Sequence, residues 1–284
     1  RRGAGATGRS ELRPCAGSVQ RSAGEAEKPF PSDLGGGGAY SWDNAGGIDH
    51  ITRIRAERKT PGCGVEFEAM ALSVQKAPLT IEEFQKAANV SRETLDRLKI
   101  YADILEKWNP RINLVSHRSL DDLWRRHMLD SFQLFELYKP NAAPETENIW
   151  LDLGSGAGFP GLVLAIAGVR NVHLLESDGR KCTFLREAAR ATGTEVTVHN
   201  SRIEAAPPLG AQIISARALA PLPRLLSWAH PHLGVGGEIL LLKGQDVDVE
   251  LTEAAKCWNM SVRSIPSITD GSGSILQLTE ISRV

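Results

Sequence analysis

Residues 151–161 read LDLGSGAGFPG, an apolar run that passes straight into glycines at 154, 156 and 158, with a further glycine at 161. A strand ending this way turns tightly into a helix. Glycine supplies both the turn and a backbone that a ligand can approach without meeting a Cβ. The next apolar run, VHLLE, ends at Glu176, twenty-two residues beyond Gly154, where a carboxylate can accept both hydroxyls of a ribose. The pair specifies an adenosine-type ligand. Gly156-x-Gly158-x-x-Gly161 also fits the dinucleotide pattern G-x-G-x-x-G, so an NAD-binding Rossmann oxidoreductase is the competing reading of the same residues.

The surrounding rhythm is that of an α/β domain. Strands are predicted over IWLDLG, VHLLES, VTVHN, AQIISARA and EILLLKG, with helices between them from about Pro160, over RKCTFLREAARATG, around PLPRLLSWAHPHL and near DVELTEAAKCW. MSVRSIPSI and SILQLTEI, joined by TDGSGS, read as an antiparallel hairpin. The expectation is a seven-stranded, mostly parallel sheet with helices on both faces. Upstream, Thr80-Ile-Glu-Glu83 is a capping box. Ser91 precedes a helix whose apolar face is Leu95, Leu98, Tyr101, Leu105 and Trp108, and Pro110 is expected to stop it. Ser119 is expected to cap a third helix, with Leu120, Leu123, Trp124, Met128, Phe132 and Phe135 as its buried stripe. Residues 70–145 thus form a small helical N-terminal subdomain, and residues 146–284 the α/β domain.

Composition separates a third segment. Of 27 glycines, 13 lie in residues 1–69, beside only seven Leu, Ile or Val. No periodicity there supports a core, and this stretch is expected not to fold. It has neither the apolar run of a secretory signal nor the acid-poor composition of an organellar presequence. Upstream sequence before a start at Met70 is the reading preferred for it, and its deletion should leave activity intact. The remaining 215 residues carry 23 basic and 25 acidic side chains, so nucleic-acid binding would need a local basic patch. Cys182 and Cys257 have no C-x-x-C partner, which argues against a zinc site or disulfide framework and fits a reducing cytoplasm. The longest apolar stretch, from Ile149, contains Asp152, Pro160 and five glycines and is a poor membrane span.

Asp152 ahead of the first glycine, the extra Gly154 and the final hairpin look like the Rossmann-like class I S-adenosylmethionine-dependent methyltransferase fold. The acceptor leaves its own marks. Exocyclic adenine amines favour a polar residue followed by Pro-Pro and an aromatic at the end of the fourth strand, where this chain has Ile214-Ser-Ala-Arg-Ala-Leu-Ala-Pro221. Pyrimidine C5 calls for a cysteine nucleophile, and neither Cys182 nor Cys257 is suitably placed. A purine N7 already carries an in-plane lone pair and needs no such help. Lys107-Trp-Asn-Pro-Arg-Ile-Asn-Leu-Val-Ser116, then Arg125-Arg-His-Met-Leu-Asp-Ser131, then LDLGSGAGFPG, together resemble the RsmG family, also called glucose-inhibited division protein B, from about residue 80 to the C-terminus.

That resemblance implies methyl transfer from S-adenosylmethionine to guanine N7 in 16S rRNA, with no metal and no acid, base or nucleophile. It places cofactor contacts on Gly154, Phe159, Ile203, Glu204 and Arg217. Gly156, Gly158 and Glu176 join them from the fold logic. Arg217 is open between the methionine carboxylate, the RNA and a salt bridge at the sheet edge. Candidate RNA contacts are Lys107, Arg125, Arg126, Arg224 and Lys243, with Arg111, Arg118 and Arg202 beside them, and Arg125-Arg126 preferred. Trp108 and Trp124 read as core rather than base-stacking residues, and His127 and Asp130 as structural. His230-x-His232 reads as a helix terminus rather than a metal site. The expected partner is 16S rRNA, the small ribosomal subunit or its assembly intermediate, and the expected state a monomer without membrane association. A methyltransferase of small molecules or proteins, and a non-catalytic assembly factor, are the other readings.

Overall fold

The computed structural model describes residues 77–138 and 148–284; the expectations for residues 1–69 fall outside the described residues. Helix α1 (Ile81–Ala88) begins with the predicted capping box: the Glu83 N–H donates to the Thr80 hydroxyl, and the Glu83 carboxylate accepts the Thr80 N–H at 2.8 Å. Helix α2 (Arg92–Ile112) is capped by Ser91 and buries Leu95, Leu98, Tyr101 and Leu105 on one face. It does not stop at Pro110. Proline removes one N–H from the last turn, but the chain stays helical to Ile112 and ends at Asn113, which takes the left-handed conformation. The device that ends it is Asn109. Its buried Oδ1 accepts the N–H groups of Leu114 and Val115, both at 2.9 Å, after the helical ladder runs out.

The third predicted helix also differs. Ser116, not Ser119, caps a short α3 (His117–Leu120). Residues Trp124–Leu129 are then π-helical and run into α4 (Asp130–Tyr138). The apolar positions Trp124, Met128 and Phe132 keep four-residue steps across this segment, so the stripe read from the sequence does not distinguish the wider π turn from an α-helix.

Seven strands follow: β1 (Trp150–Leu153), β2 (Val172–Glu176), β3 (Thr197–Asn200), β4 (Ala211–Arg217), β5 (Leu233–Lys243), β6 (Trp258–Pro266) and β7 (Ser274–Arg283). Their order is β3-β2-β1-β4-β5-β7-β6, with the first five parallel and β7 antiparallel between β5 and β6. This is the class I methyltransferase topology expected from the sequence. Helices α5 (Gly161–Ala167), α6 (Gly179–Ala191), α7 (Leu222–Ala229) and α8 (Val247–Ala254) complete it.

Strand β1 shows how the two faces are filled, because alternate side chains point to opposite sides. Trp150 joins a core built with Phe84, Leu98, Leu105, Phe132, Leu162 and Phe184, from α1, α2, α4, α5 and α6. Leu151 and Leu153 join the other, with Leu222, Leu226 and Ala254 from α7 and α8. The N-terminal helices therefore share a core with the sheet instead of forming one of their own. Trp108 packs edge-on against Phe184 and Trp124 lies tilted against Phe84, so both are partly buried against the core. Among the described residues no helix is long and apolar enough to cross a membrane. The strand order reverses beside β1, and the crevice at the carboxyl ends of β1 and β4 is where such sheets hold ligands.

Candidate active site

The glycine turn lies in that crevice against the end of β2. Gly154 and Ser155 donate their N–H groups to the Leu175 carbonyl, and Gly156 donates to Glu176 Oε2 at 2.9 Å. Glu176 Oε1 accepts the Asp178 N–H at 2.8 Å, so the carboxylate is held against the turn from both sides.

The glycines divide into two kinds. Gly154, Gly156 and Gly158 all have positive φ, at 64°, 56° and 98°, a region that side chains rarely enter. A Cβ on Gly158 would lie 2.8 Å from Leu162 Cβ and 3.1 Å from the Tyr101 hydroxyl; one on Gly161 would lie 2.5 Å from Leu174 and 2.7 Å from Asp152. These two permit close packing of helix on strand. A Cβ on Gly156 would meet nothing nearer than the Gly154 carbonyl at 3.7 Å, so the free face of the turn is there. Gly154 is intermediate, its Cβ direction facing the end of the Leu219 side chain at 2.5 Å.

Asp152 is fully buried beneath the turn. Its Oδ2 accepts the Gly161 N–H at 3.2 Å and its Oδ1 accepts the Ser215 hydroxyl at 2.8 Å; Ser215 in turn accepts the Trp150 indole N–H. Burial raises its pKa to about 6, against the lowering effect of these hydrogen bonds. Its task is to fasten helix α5 and strand β4 to β1.

The sequence places Tyr101 only on the buried face of α2. Its hydroxyl also donates to the Ala157 carbonyl, so helix α2 fastens the turn from the other side. The apolar spacing that placed Tyr101 on the buried face carried no sign of this bond.

Phe159 is buried, stacked on His127 with centroids 4.7 Å apart, and the Arg217 guanidinium carbon lies 5.1 Å over its ring. Arg217, at the end of β4, donates to the Arg126 carbonyl at 2.8 Å and contacts Asp130 at 3.4 Å and His127 Nδ1 at 2.6 Å. His127 and Asp130 are structural as expected, but their shared contact is Arg217, which lies far away in sequence. Ile203 is part of the core against α7 and α8, and its carbonyl accepts from His232 at 3.0 Å. Ile203 is buried and Glu204 beside it is exposed. The His232 bond also accounts for the His230-x-His232 pair as a helix terminus.

Cys182 is buried with its thiol toward the Glu176 carbonyl, and burial raises its pKa, which keeps it in the unreactive thiol form.

Among the candidate RNA contacts, Lys107, Arg111, Arg118, Arg126, Arg202 and Arg224 are exposed. Two others have different work. Arg125 donates to the Ala77 carbonyl and pairs with Asp122, leaving its side chain 12% exposed; Lys243 pairs with Glu250 at 2.6 Å and donates to the Ala220 carbonyl, leaving 11%. Both cations are engaged within the chain. Their internal carbonyl and carboxylate partners cannot be read from the sequence.

Comparison with known proteins agrees with this architecture. A family model for GidB, rRNA small subunit methyltransferase G, matches residues 94–276. The chain is 58% identical over 202 residues to the ribosomal RNA small subunit methyltransferase G of Paramagnetospirillum magneticum, covering 71% of this chain and 96% of that protein. It is 53% identical over 205 residues to the protein of the same name from Rhodospirillum rubrum, covering 72% of this chain and 100% of that one. With a methyltransferase family matched across both the helices and the sheet, the dinucleotide reading of the glycine pattern gives way: the chain belongs to the rRNA small subunit methyltransferase G family.

Proposed function

We propose that this chain transfers the methyl group of S-adenosylmethionine to N7 of a guanine in 16S rRNA, in the cytoplasm. The family match carries the rRNA reading, and the cofactor part is supported by a glycine turn whose open face, at Gly156, stands beside the held carboxylate of Glu176 at the strand-order reversal. A ribose fits that carboxylate and an adenosine fits the open backbone. In this reading Gly154, Gly156, Phe159, Glu176, Ile203, Glu204 and Arg217 hold the cofactor, Gly158 shapes the turn, and Arg217 meets the methionine carboxylate.

Bound there, S-adenosylmethionine supplies an electrophilic sulfonium methyl. The chain contributes alignment and exclusion of water. Guanine N7 attacks with its own lone pair, so no proton has to leave first. The nearby titratable groups fit such a site. Asp152 is enclosed, Cys182 is a buried thiol, and His127 has its pKa lowered to about 3 by burial and by the charges of Arg217 and Arg126.

The test supplies the purified chain with methyl-labelled cofactor and small ribosomal subunits from cells lacking the gene, followed by mass mapping of the rRNA. Label on one guanine, released as 7-methylguanine, is the expected result. Label on protein, on an exocyclic amine or nowhere in the RNA overturns the reading.

A further inference from the structure

The end of β4 meets the π-helical segment around one guanidinium. Arg217 Nη1 reaches the Arg126 carbonyl and Asp130, and Nη2 lies 2.6 Å from His127 Nδ1. A guanidinium only donates, so Nδ1 is the acceptor and carries no proton. The neutral imidazole then has its proton on Nε2. His127 is 7% exposed, and among the described residues its Nε2 has no hydrogen-bond partner. A buried donor left unmatched is costly. Phenylalanine would fill the same slot on Phe159 without that cost, so stacking alone does not account for an imidazole here. Its distinguishing property is the acceptor at Nδ1. The setting agrees, since π turns bend a helix locally and recur at functional sites.

We propose that His127 is a positioning residue for Arg217: as a neutral imidazole it accepts one guanidinium N–H. Together with the Arg126 carbonyl and Asp130 it fixes the guanidinium plane. Three of the five guanidinium N–H groups are engaged in this way, which leaves two for a carboxylate ligand. The proposal rests on the reading of Arg217 as a cofactor contact, and the test keeps the two apart.

Two His127 variants of the full chain, Arg217→Ala, and each His127 change in the Arg217→Ala background are compared by calorimetric titration with S-adenosylmethionine and by methylation kinetics, with thermal melting as the folding control. His127→Asn retains an acceptor oxygen near the Nδ1 position and loses the ring stack; His127→Phe retains the stack and loses the acceptor. We expect the Asn variant to bind cofactor within about threefold of the native chain and the Phe variant on the order of tenfold or more weakly, the loss of one charge-assisted hydrogen bond. In an Arg217→Ala background the two should be equal. Native affinity in His127→Phe, or equal weakening in both variants, makes the imidazole a packing group and overturns the proposal alone. Native affinity and turnover in Arg217→Ala removes the reading of Arg217, and the proposal with it. If His127→Phe does not fold, His127→Gln replaces it, because its acceptor lies out at the Nε2 position. It should bind as weakly as expected for Phe, and native affinity would again overturn the proposal.

Discussion

The four glycines of LDLGSGAGFPG look equivalent in sequence, yet they do not all answer the same demand. Gly158→Ala forces a Cβ to 2.8 Å from Leu162 Cβ and 3.1 Å from Leu185 and the Tyr101 hydroxyl, at a φ of 98°. Overpacking and backbone strain together should lower stability by roughly 2–4 kcal/mol. Gly156→Ala meets open space at a φ of 56°, so only the left-handed strain of about 1 kcal/mol applies. Cofactor affinity should rank them the other way relative to stability. The Gly156 variant should melt within a few degrees of the native chain yet bind S-adenosylmethionine at least about tenfold more weakly, because its methyl group occupies the face the ligand approaches. Melting curves and calorimetric titration of the two variants decide it; unimpaired binding by Gly156→Ala would move the cofactor off this face. The sequence pattern located the turn and its acidic partner. It did not separate ligand-facing from packing glycines, because that depends on what stands opposite each Cβ direction: Leu162, Leu185 and Tyr101 at one, nothing at another.

At the scale of elements, the strands and the helices between them were legible, since one strand face and one helix stripe each leave a period in the sequence. What was not legible was how helices end or deviate. Pro110 looks like a stop signal, but the ending is made by the Asn109 side chain bonding forward to Leu114 and Val115, contacts that leave no periodic mark. This gives the Trp-Asn-Pro-Arg stretch a structural meaning. Asn109→Ala should orphan two buried N–H groups, at about 1–3 kcal/mol each before relaxation. We expect a loss of roughly 2–4 kcal/mol in urea unfolding, with Asn109→Asp, which keeps the acceptor, recovering part of it. No loss in the Ala variant would mean that water replaces the cap. The π segment was hidden for a related reason. The apolar steps from Trp124 to Met128 to Phe132 keep the four-residue spacing of an α-helix, so nothing in the sequence marks the wider turn.

For the whole molecule, the helices before the sheet both complete its core and hold its site. Tyr101 of α2 fastens the glycine turn, while His127 and Asp130 fasten Arg217. Asp130 also accepts from Thr269 at 2.7 Å, and Gln133 of α4 accepts the Ile268 N–H, which ties in the loop between β6 and β7 at the same carboxyl edge of the sheet. A chain with a formal net charge of −1 has no general attraction for phosphates, so binding to RNA draws on local cations, and those exposed at this edge are the ones to test. Arg126 and Arg224 are exposed beside it, whereas Lys243 is engaged by Glu250 and the Ala220 carbonyl. The difference can be measured through counterion release. Arg126→Gln and Arg224→Gln should each weaken binding to a 16S rRNA fragment and reduce the slope of log K against log salt by about 0.7–0.9, one phosphate contact apiece. Lys243→Gln should leave that slope unchanged and instead lower the melting temperature, because Glu250, which also accepts the Leu222 N–H at 2.7 Å, loses its cation. Equal slopes for the native chain and both arginine variants would place the RNA on another face of the molecule, and a reduced slope for Lys243→Gln would mean that its ion pair opens when RNA binds.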